Sequence, residues 1–179
     1  GEEYILEFDN SIDFKIENFG KKIIGLNTGC GARWTSRLWS IDQWAELINK
    51  LQDAGYYPLL LGGEAEHARN TELNNRTSAA YLGYFPLNHF IALLNKVDLL
   101  VTGVTMALHI GIGLKKQIVL FNNIFNPYEF DLYGRGVIIQ PEKECKCFFK
   151  GKCDNPDYFC MDFLYPQKVF DEIQKLISK

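Results

Sequence analysis

The 179-residue sequence predicts an α/β domain: a Rossmann-like parallel sheet with helices on both faces. Three observations predict it. From Lys22 onward, apolar runs too short for helices alternate with segments of helical periodicity. Alternation of this kind builds a parallel sheet covered by its crossover helices. The first apolar run also breaks into a glycine-rich loop, Gly25-Leu26-Asn27-Thr28-Gly29-Cys30-Gly31, placed where such sheets hold ligands.

The elements follow in order. Ile23 to Asn27 reads as the first strand. Ser40 then caps a helix, and Gln43 completes a capping box. Ile41, Trp44, Leu47, Ile48 and Leu51 recur at helical spacing, and Gly55 ends the helix. Tyr57 to Leu61 is a buried strand, followed by Gly62-Gly63 and a polar helix from Glu64 to Asn75. Ala79 to Leu82 is a short strand. Leu87, Phe90, Ile91 and Leu94 mark the next helix, Leu99 to Thr102 the fourth strand, and Ala107 to Leu114 a helix of small residues. Ile118 to Phe121 and Val137 to Ile139 supply two more strands. Val169, Phe170, Ile173, Leu176 and Ile177 make a terminal amphipathic helix with Pro166 in its first turn. Residues 1–20 stand outside this alternation and read as a linker or strap arriving from a preceding domain; residues 21–179 form the α/β domain.

Composition narrows the function classes. Apolar residues make up 47% and charged residues 23%, with a net charge of −3. That is ordinary globular composition without the basic excess of a nucleic-acid surface. No apolar run approaches the roughly 18 residues of a membrane span. The acidic start, Gly1 to Phe8, lacks a basic signal-peptide n-region, so the expected location is cytoplasmic. Four of five cysteines cluster as Cys145, Cys147, Cys153 and Cys160 in a loop at 145–160. Their spacing leaves three readings open: a structural zinc site, free thiols, or disulfides. His67 and His89 have no carboxylate or cysteine at metal spacing.

The loops after the strands carry the candidate site. Thr28, Gly29, Arg33 and Arg37 lie in the first, where backbone N–H groups and arginines suit a phosphate. An ordinary strand–loop–helix turn with solvated arginines explains the same residues. Glu66, after Gly62-Gly63, would accept from ribose hydroxyls or act as a first-turn acid on the helix dipole. Thr105 and Met106 open the small-residue helix, as a diphosphate cradle or a plain cap. His109, between Leu108 and Ile110, reads more readily as a core residue than as a ligand. Trp34 and Trp39 suit a base platform and core packing equally. No Ser-His-Asp set, carboxylate pair or HExxH motif supplies a general base.

Together these loops resemble the C-terminal half of glycosyltransferase family 9, the ADP-heptose:lipopolysaccharide heptosyltransferases and their relatives. Gly25-Leu26-Asn27-Thr28-Gly29 is similar to the family's G-x-N-P-G, and Ser36-Arg37-Leu38-Trp39-Ser40 to its T-K-R-W-P. Leu61 to Glu66 is similar to L-G-G-x-x-E. Val97 to Thr102 resembles A-D-L-V-V-T, and Thr105 to Ile110 occupies the place of S-G-P-M-H-L. The resemblance implies a GT-B enzyme of two Rossmann-like domains, metal-independent and inverting. Its C-terminal domain holds a nucleotide-sugar donor, with ADP-heptose as the default. The preceding domain binds a glycan or glycolipid acceptor, such as the lipopolysaccharide core of bacteria, and supplies the catalytic base. By carry-over, Arg37 stands at the phosphate-binding Lys, Glu66 at the ribose-contacting Glu, and Thr105 at the diphosphate-binding Ser/Thr. His109 takes the motif's His, a structural or site-supporting place. Peripheral association with the inner face of the bacterial inner membrane would follow for the full-length protein.

The chain departs from the family pattern at Val104, where Asp stands; at Met106, where Gly stands; and at Asn122, where Gly stands. Those departures motivate an alternative, a degenerate non-catalytic nucleotide-binding or interaction module. A nicotinamide-linked oxidoreductase fits less well, because the glycine fingerprint and its downstream ribose acid are missing.

Overall fold

A computed structural model describes residues 6–9, 11–29, 38–121, 131–143 and 157–178. Six strands, β1 (Ile23–Asn27), β2 (Tyr57–Leu61), β3 (Ala80–Tyr81), β4 (Leu99–Thr102), β5 (Gln117–Phe121) and β6 (Gly136–Ile139), form one sheet in the order β3-β2-β1-β4-β5-β6. Every neighbouring pair is parallel. Among the described residues, five α-helices join or follow them: α1 (Ile41–Asp53), α2 (His67–Arg76), α3 (Leu87–Leu94), α4 (Met106–Gly113) and α5 (Pro166–Ile177). This is the Rossmann-like arrangement expected from the alternation.

Side chains alternate across the strands into two cores. Ile24 and Leu26 of β1, Leu99 and Val101 of β4, and Val119 and Phe121 of β5 face α1 and α5. Ile23, Leu100, Ile118 and Leu120 face α3 and α4. Because both faces are covered, the central strands are apolar throughout, the pattern of a buried parallel sheet. On the first face, Trp39 meets Trp44 and Phe121 edge to face, with ring centroids 4.9 Å and 5.0 Å away. Trp39 is 1% exposed and its indole N–H donates to the Leu164 carbonyl at 2.8 Å. Core packing, not a base platform, is its place; Trp34 lies outside the described residues.

The ends of α4, β5 and β6 shift by one residue from the sequence expectation, and two elements differ more. The polar helix over 64–75 is a three-residue 3-10 turn, Glu64–Glu66, followed by α2. The break falls at Glu66, whose carboxylate turns back to accept the Gly63 N–H at 3.1 Å. The strand over 79–82 shortens to Ala80–Tyr81. It pairs with β2 alone, and Leu82 beyond it is exposed.

Residues 6–9 and 11–18 of the strap lie along the surface of the domain. Leu6, Phe8, Phe14 and Ile16 pack on the α3/α4 core, while Glu7, Asp13, Lys15 and Glu17 between them are exposed. The segment is extended, with a period of two, but belongs to no sheet. The Leu6 N–H donates to the Gly113 carbonyl at the end of α4, and Asp13 pairs with Lys96 beyond α3 at 2.5 Å.

Candidate functional site at the switch point of the sheet

From β1 the chain winds first toward β2 and β3, then crosses to β4 on the other side. That reversal opens a crevice beyond the carboxyl ends of β1 and β4, the usual ligand position in such sheets. A cleft of 470 Å³ lies there. Asn27, Glu66, Thr105 and the first residues of α4 line one part; Phe85, Leu87 and Phe90 line another.

The polar part is built from the end of β1. Leu26 pairs with Val101 of β4, so the next residue, Asn27, comes alongside Thr102. The Asn27 amide, 6% exposed, donates to the hydroxyls of both Thr102 at 3.0 Å and Thr105 at 3.1 Å. Thr102 in turn donates to the Gly103 carbonyl at 3.0 Å. Thr105 occupies the N-cap position of α4 with an extended backbone, yet its side chain makes no capping bond. Its oxygen accepts from Asn27, which leaves its proton to donate either to Thr102, 3.2 Å away, or into the cleft. Met106 and Ala107 also line the cleft. Their amides are the first of the helix and have no carbonyl partner within it.

Glu66 approaches from the other side. A side chain added at Gly29 would overlap the Glu66 carboxylate, and a Cβ at Gly62 would lie 2.7 Å from the Glu66 Cβ. The two glycines therefore make the space in which the half-buried carboxylate rests. Behind it, the fully buried Asn70 of α2 accepts from the Thr28 hydroxyl at 2.5 Å and donates to the Leu61 carbonyl at 3.1 Å. Asn70 thereby ties the ends of β1 and β2 to α2. Beside Glu66, His67 Nδ1 is 2.7 Å from the Tyr81 hydroxyl. Burial, with Tyr84 and Glu66 adding to it, pushes the Tyr81 phenol up from its ordinary pKa.

The expected site residues separate on this geometry. Thr28, Gly29, Glu66, Thr105 and Met106 gather around the crevice, with the Thr28 hydroxyl taken by Asn70. His109 is exposed on α4, so the core reading does not hold: its helix turns that position away from the apolar side formed by Leu108 and Ile110. Arg33 and Arg37 lie outside the described residues. So do Cys145, Cys147 and Cys153 of the zinc reading, while Cys160 is 1% exposed in the core beneath α1 and α5. Among the described residues, no three His, Cys, Asp or Glu side chains gather as a metal site. No helix among them is long and apolar enough to cross a membrane.

Sequence reading missed Asn27, Asn70 and the Phe85–Leu87–Phe90 wall as site elements. Asn27 carries a signal in hindsight, a polar residue closing an otherwise apolar central strand. Asn70 carries none, since it sits in a helix that is polar nearly throughout.

The glycosyltransferase family 9 (heptosyltransferase) model matches residues 5–158. The chain belongs to this family. Among solved structures, family 9 chains share its fold. The glycosyltransferase from Veillonella parvula aligns with a TM-score of 0.76 at 17% identity, over 91% of this chain and 47% of that one. ADP-heptose LPS heptosyltransferase II from E. coli aligns at 0.70 and 20% identity, over 88% and 47%. E. coli heptosyltransferase WaaC, solved with ADP-2-deoxy-2-fluoro heptose, aligns at 0.64 and 18% identity, over 87% and 43%. The chain thus spans a little under half the length of each of these family 9 structures. No curated protein matches it.

Proposed function

We propose that this family 9 chain is the donor-binding half of an inverting glycosyltransferase and takes a nucleoside-diphosphate sugar in the cleft between β1 and β4. One observation carries the reading: Thr105 is held by Asn27 instead of capping α4, so its hydroxyl and the first amides of the helix border an open cleft. An anion is stabilised at such a terminus by the unpaired N–H groups and the helix dipole. Glu66, facing it, suits ribose hydroxyls, and the apolar wall of Phe85, Leu87 and Phe90 suits the flat face of a base. WaaC was solved with ADP and with an ADP-sugar, which supports ADP-heptose as the first donor to test.

In this reading the anomeric carbon is displaced directly by an acceptor hydroxyl, without a metal. Thr105, the α4 amides and Arg37 stabilise the negative charge growing on the leaving diphosphate. The acceptor, a bacterial glycan or glycolipid such as the lipopolysaccharide core, and the base that removes its proton belong to the other half of the enzyme. That enzyme works in the cytoplasm, at the inner face of the membrane. The four-cysteine loop keeps the same three readings, a structural zinc, free thiols or disulfides, and a stoichiometric metal assay with thiol titration separates them.

The test is calorimetric titration with ADP, UDP, GDP and CDP, repeated with Thr105→Ala and Arg37→Ala. Selective binding of one diphosphate, weakened in both variants, is the expected result. Binding of none would instead favour a non-catalytic module. Met106 is the observation on that side, because it stands 63% exposed on the cleft rim at the family's Gly position.

A further inference from the structure

The apolar wall of the cleft has a support that lies outside the cleft. Phe85 sits in the irregular segment between β3 and α3, outside both elements, just before Pro86, whose carbonyl accepts the Phe90 N–H at the start of α3. Its ring is braced by Phe14 of the strap, edge to face, with centroids 5.0 Å apart and planes at 64°. Both rings are half-buried against the α3/α4 core. Phe14 itself is anchored by its neighbours: Asp13 pairs with Lys96, and Ile16 packs on the same core. The contact joins positions 71 residues apart in sequence (85 minus 14). Phe85 therefore lines the cleft and touches the strap at once.

We infer that Phe14 is a positioning residue for base recognition: through Phe85, the strap sets the wall against which the nucleobase of the donor rests. The inference rests on the reading of the cleft as a nucleoside-diphosphate site. A ring in an irregular segment takes its position from its packing partners, and an edge-to-face pair fixes both distance and tilt. Removing Phe14 leaves Phe85 free to change rotamer and blurs the shape of the wall. Thr105 and the α4 amides, at the other end of the cleft, are untouched. The strap is thus a part of the donor site rather than a passive tether. Whatever moves residues 11–16 also tunes the site's preference for one base over another.

The experiment measures affinity for ADP, UDP, GDP and CDP in the whole chain and in Phe14→Ala, Phe14→Tyr, Phe8→Ala and Thr105→Ala. Phe14→Ala is expected to lower affinity for the preferred diphosphate about tenfold and to flatten the differences among the four, as loss of one aromatic pair implies. Phe14→Tyr, which keeps the ring, restores both. Phe8→Ala loosens the strap on the same core and keeps the selectivity. Thr105→Ala weakens all four diphosphates alike. The inference is overturned if Phe14→Ala preserves the order and spacing of the four affinities. Phe8→Ala reproducing the flattening, or a wild-type chain binding all four equally, overturns it too. A wild-type chain that binds none overturns the donor-site reading and the inference with it.

Discussion

Among the described residues, a serine stands before one helix and a threonine before another, and the two are used in opposite ways. Ser40 precedes α1 and Thr105 precedes α4, both with extended backbones at the N-cap position. The Ser40 hydroxyl accepts the Gln43 N–H at 3.1 Å, and the Gln43 side chain accepts the Ser40 N–H at 2.9 Å. The Gln43 amide then donates to the Met161 and Leu164 carbonyls, and Arg69 donates to the carbonyl of Trp39. The mouth of α1 is closed on itself and tied to the C-terminal part of the chain. At α4, Asn27 reaches across from β1 and holds Thr105 instead. The same residue class at the same helix position therefore seals one helix and leaves the other open, and only the open one borders the cleft.

If α1 starts a structural helix and α4 a binding one, substitutions at the two should sort cleanly between stability and affinity. The largest effect is expected for Trp39→Ala, at about 4 kcal/mol of folding stability from the buried ring, while the Leu164 carbonyl keeps the Gln43 amide as a donor. Chemical denaturation measures it, and a loss below ~1 kcal/mol would break the structural side of the comparison. Next comes Thr105→Ala, expected to weaken diphosphate binding about thirtyfold, or about 2 kcal/mol for a hydrogen bond to a charged group. Its melting temperature should fall less than that of a true cap variant, because the hydroxyl caps nothing and the Asn27 amide keeps Thr102 as a partner; an equal fall would refute the distinction.

Gly29→Ala sharpens the comparison from the facing side. The added methyl displaces the Glu66 carboxylate, and an affinity loss of roughly tenfold should follow, about 1.4 kcal/mol for one ribose contact. Ser40→Ala should cost about 1 kcal/mol of stability, the usual worth of a cap, with diphosphate affinity unchanged by calorimetry. The smallest effect belongs to the strap. Lys96, by hydrogen bond and then by charge, holds the Asp13 carboxyl below its ordinary value of 3.8. A depressed carboxyl stabilises the fold fully above its unfolded pKa and loses that effect as pH falls through the folded value. Strap amides such as that of Leu6 should therefore lose protection, measured against the intrinsic exchange rate at each pH, on acidification below about pH 4, and Asp13→Asn should abolish that dependence. Equal acid sensitivity in both chains would show that the ion pair does nothing for the strap.

Much of the fold is legible in the sequence. The β1 and β2 boundaries, the Ser40–Gln43 box and the apolar face of α1 all stand where the residues place them. So does Pro166 at the first turn of α5. The candidate site is legible only in part. The glycines and Glu66 announce themselves by type and spacing, but the roles of Asn27, Asn70 and Phe85 do not. The alternation of the strap, from Leu6 through Ile16, is present in the sequence as well. It carries no strand partner there, and so gives no sign of what it packs against.

The physical reason lies in the range of the interactions. Periodicity and capping act over about four residues, so the sequence by itself determined the sheet, its helices and the seal on α1. The interactions that define the site span far more chain: 78 residues from Asn27 to Thr105, 42 from Thr28 to Asn70, 75 from Asn27 to Thr102. Which of two acceptable partners a hydroxyl takes is settled by strand register, through Leu26 beside Val101 and Leu60. Tertiary structure alone therefore decided that Thr105 turns to β1 and leaves α4 open, that Glu66 rests over Gly29, that His109 faces out, and that Phe14 stands behind Phe85.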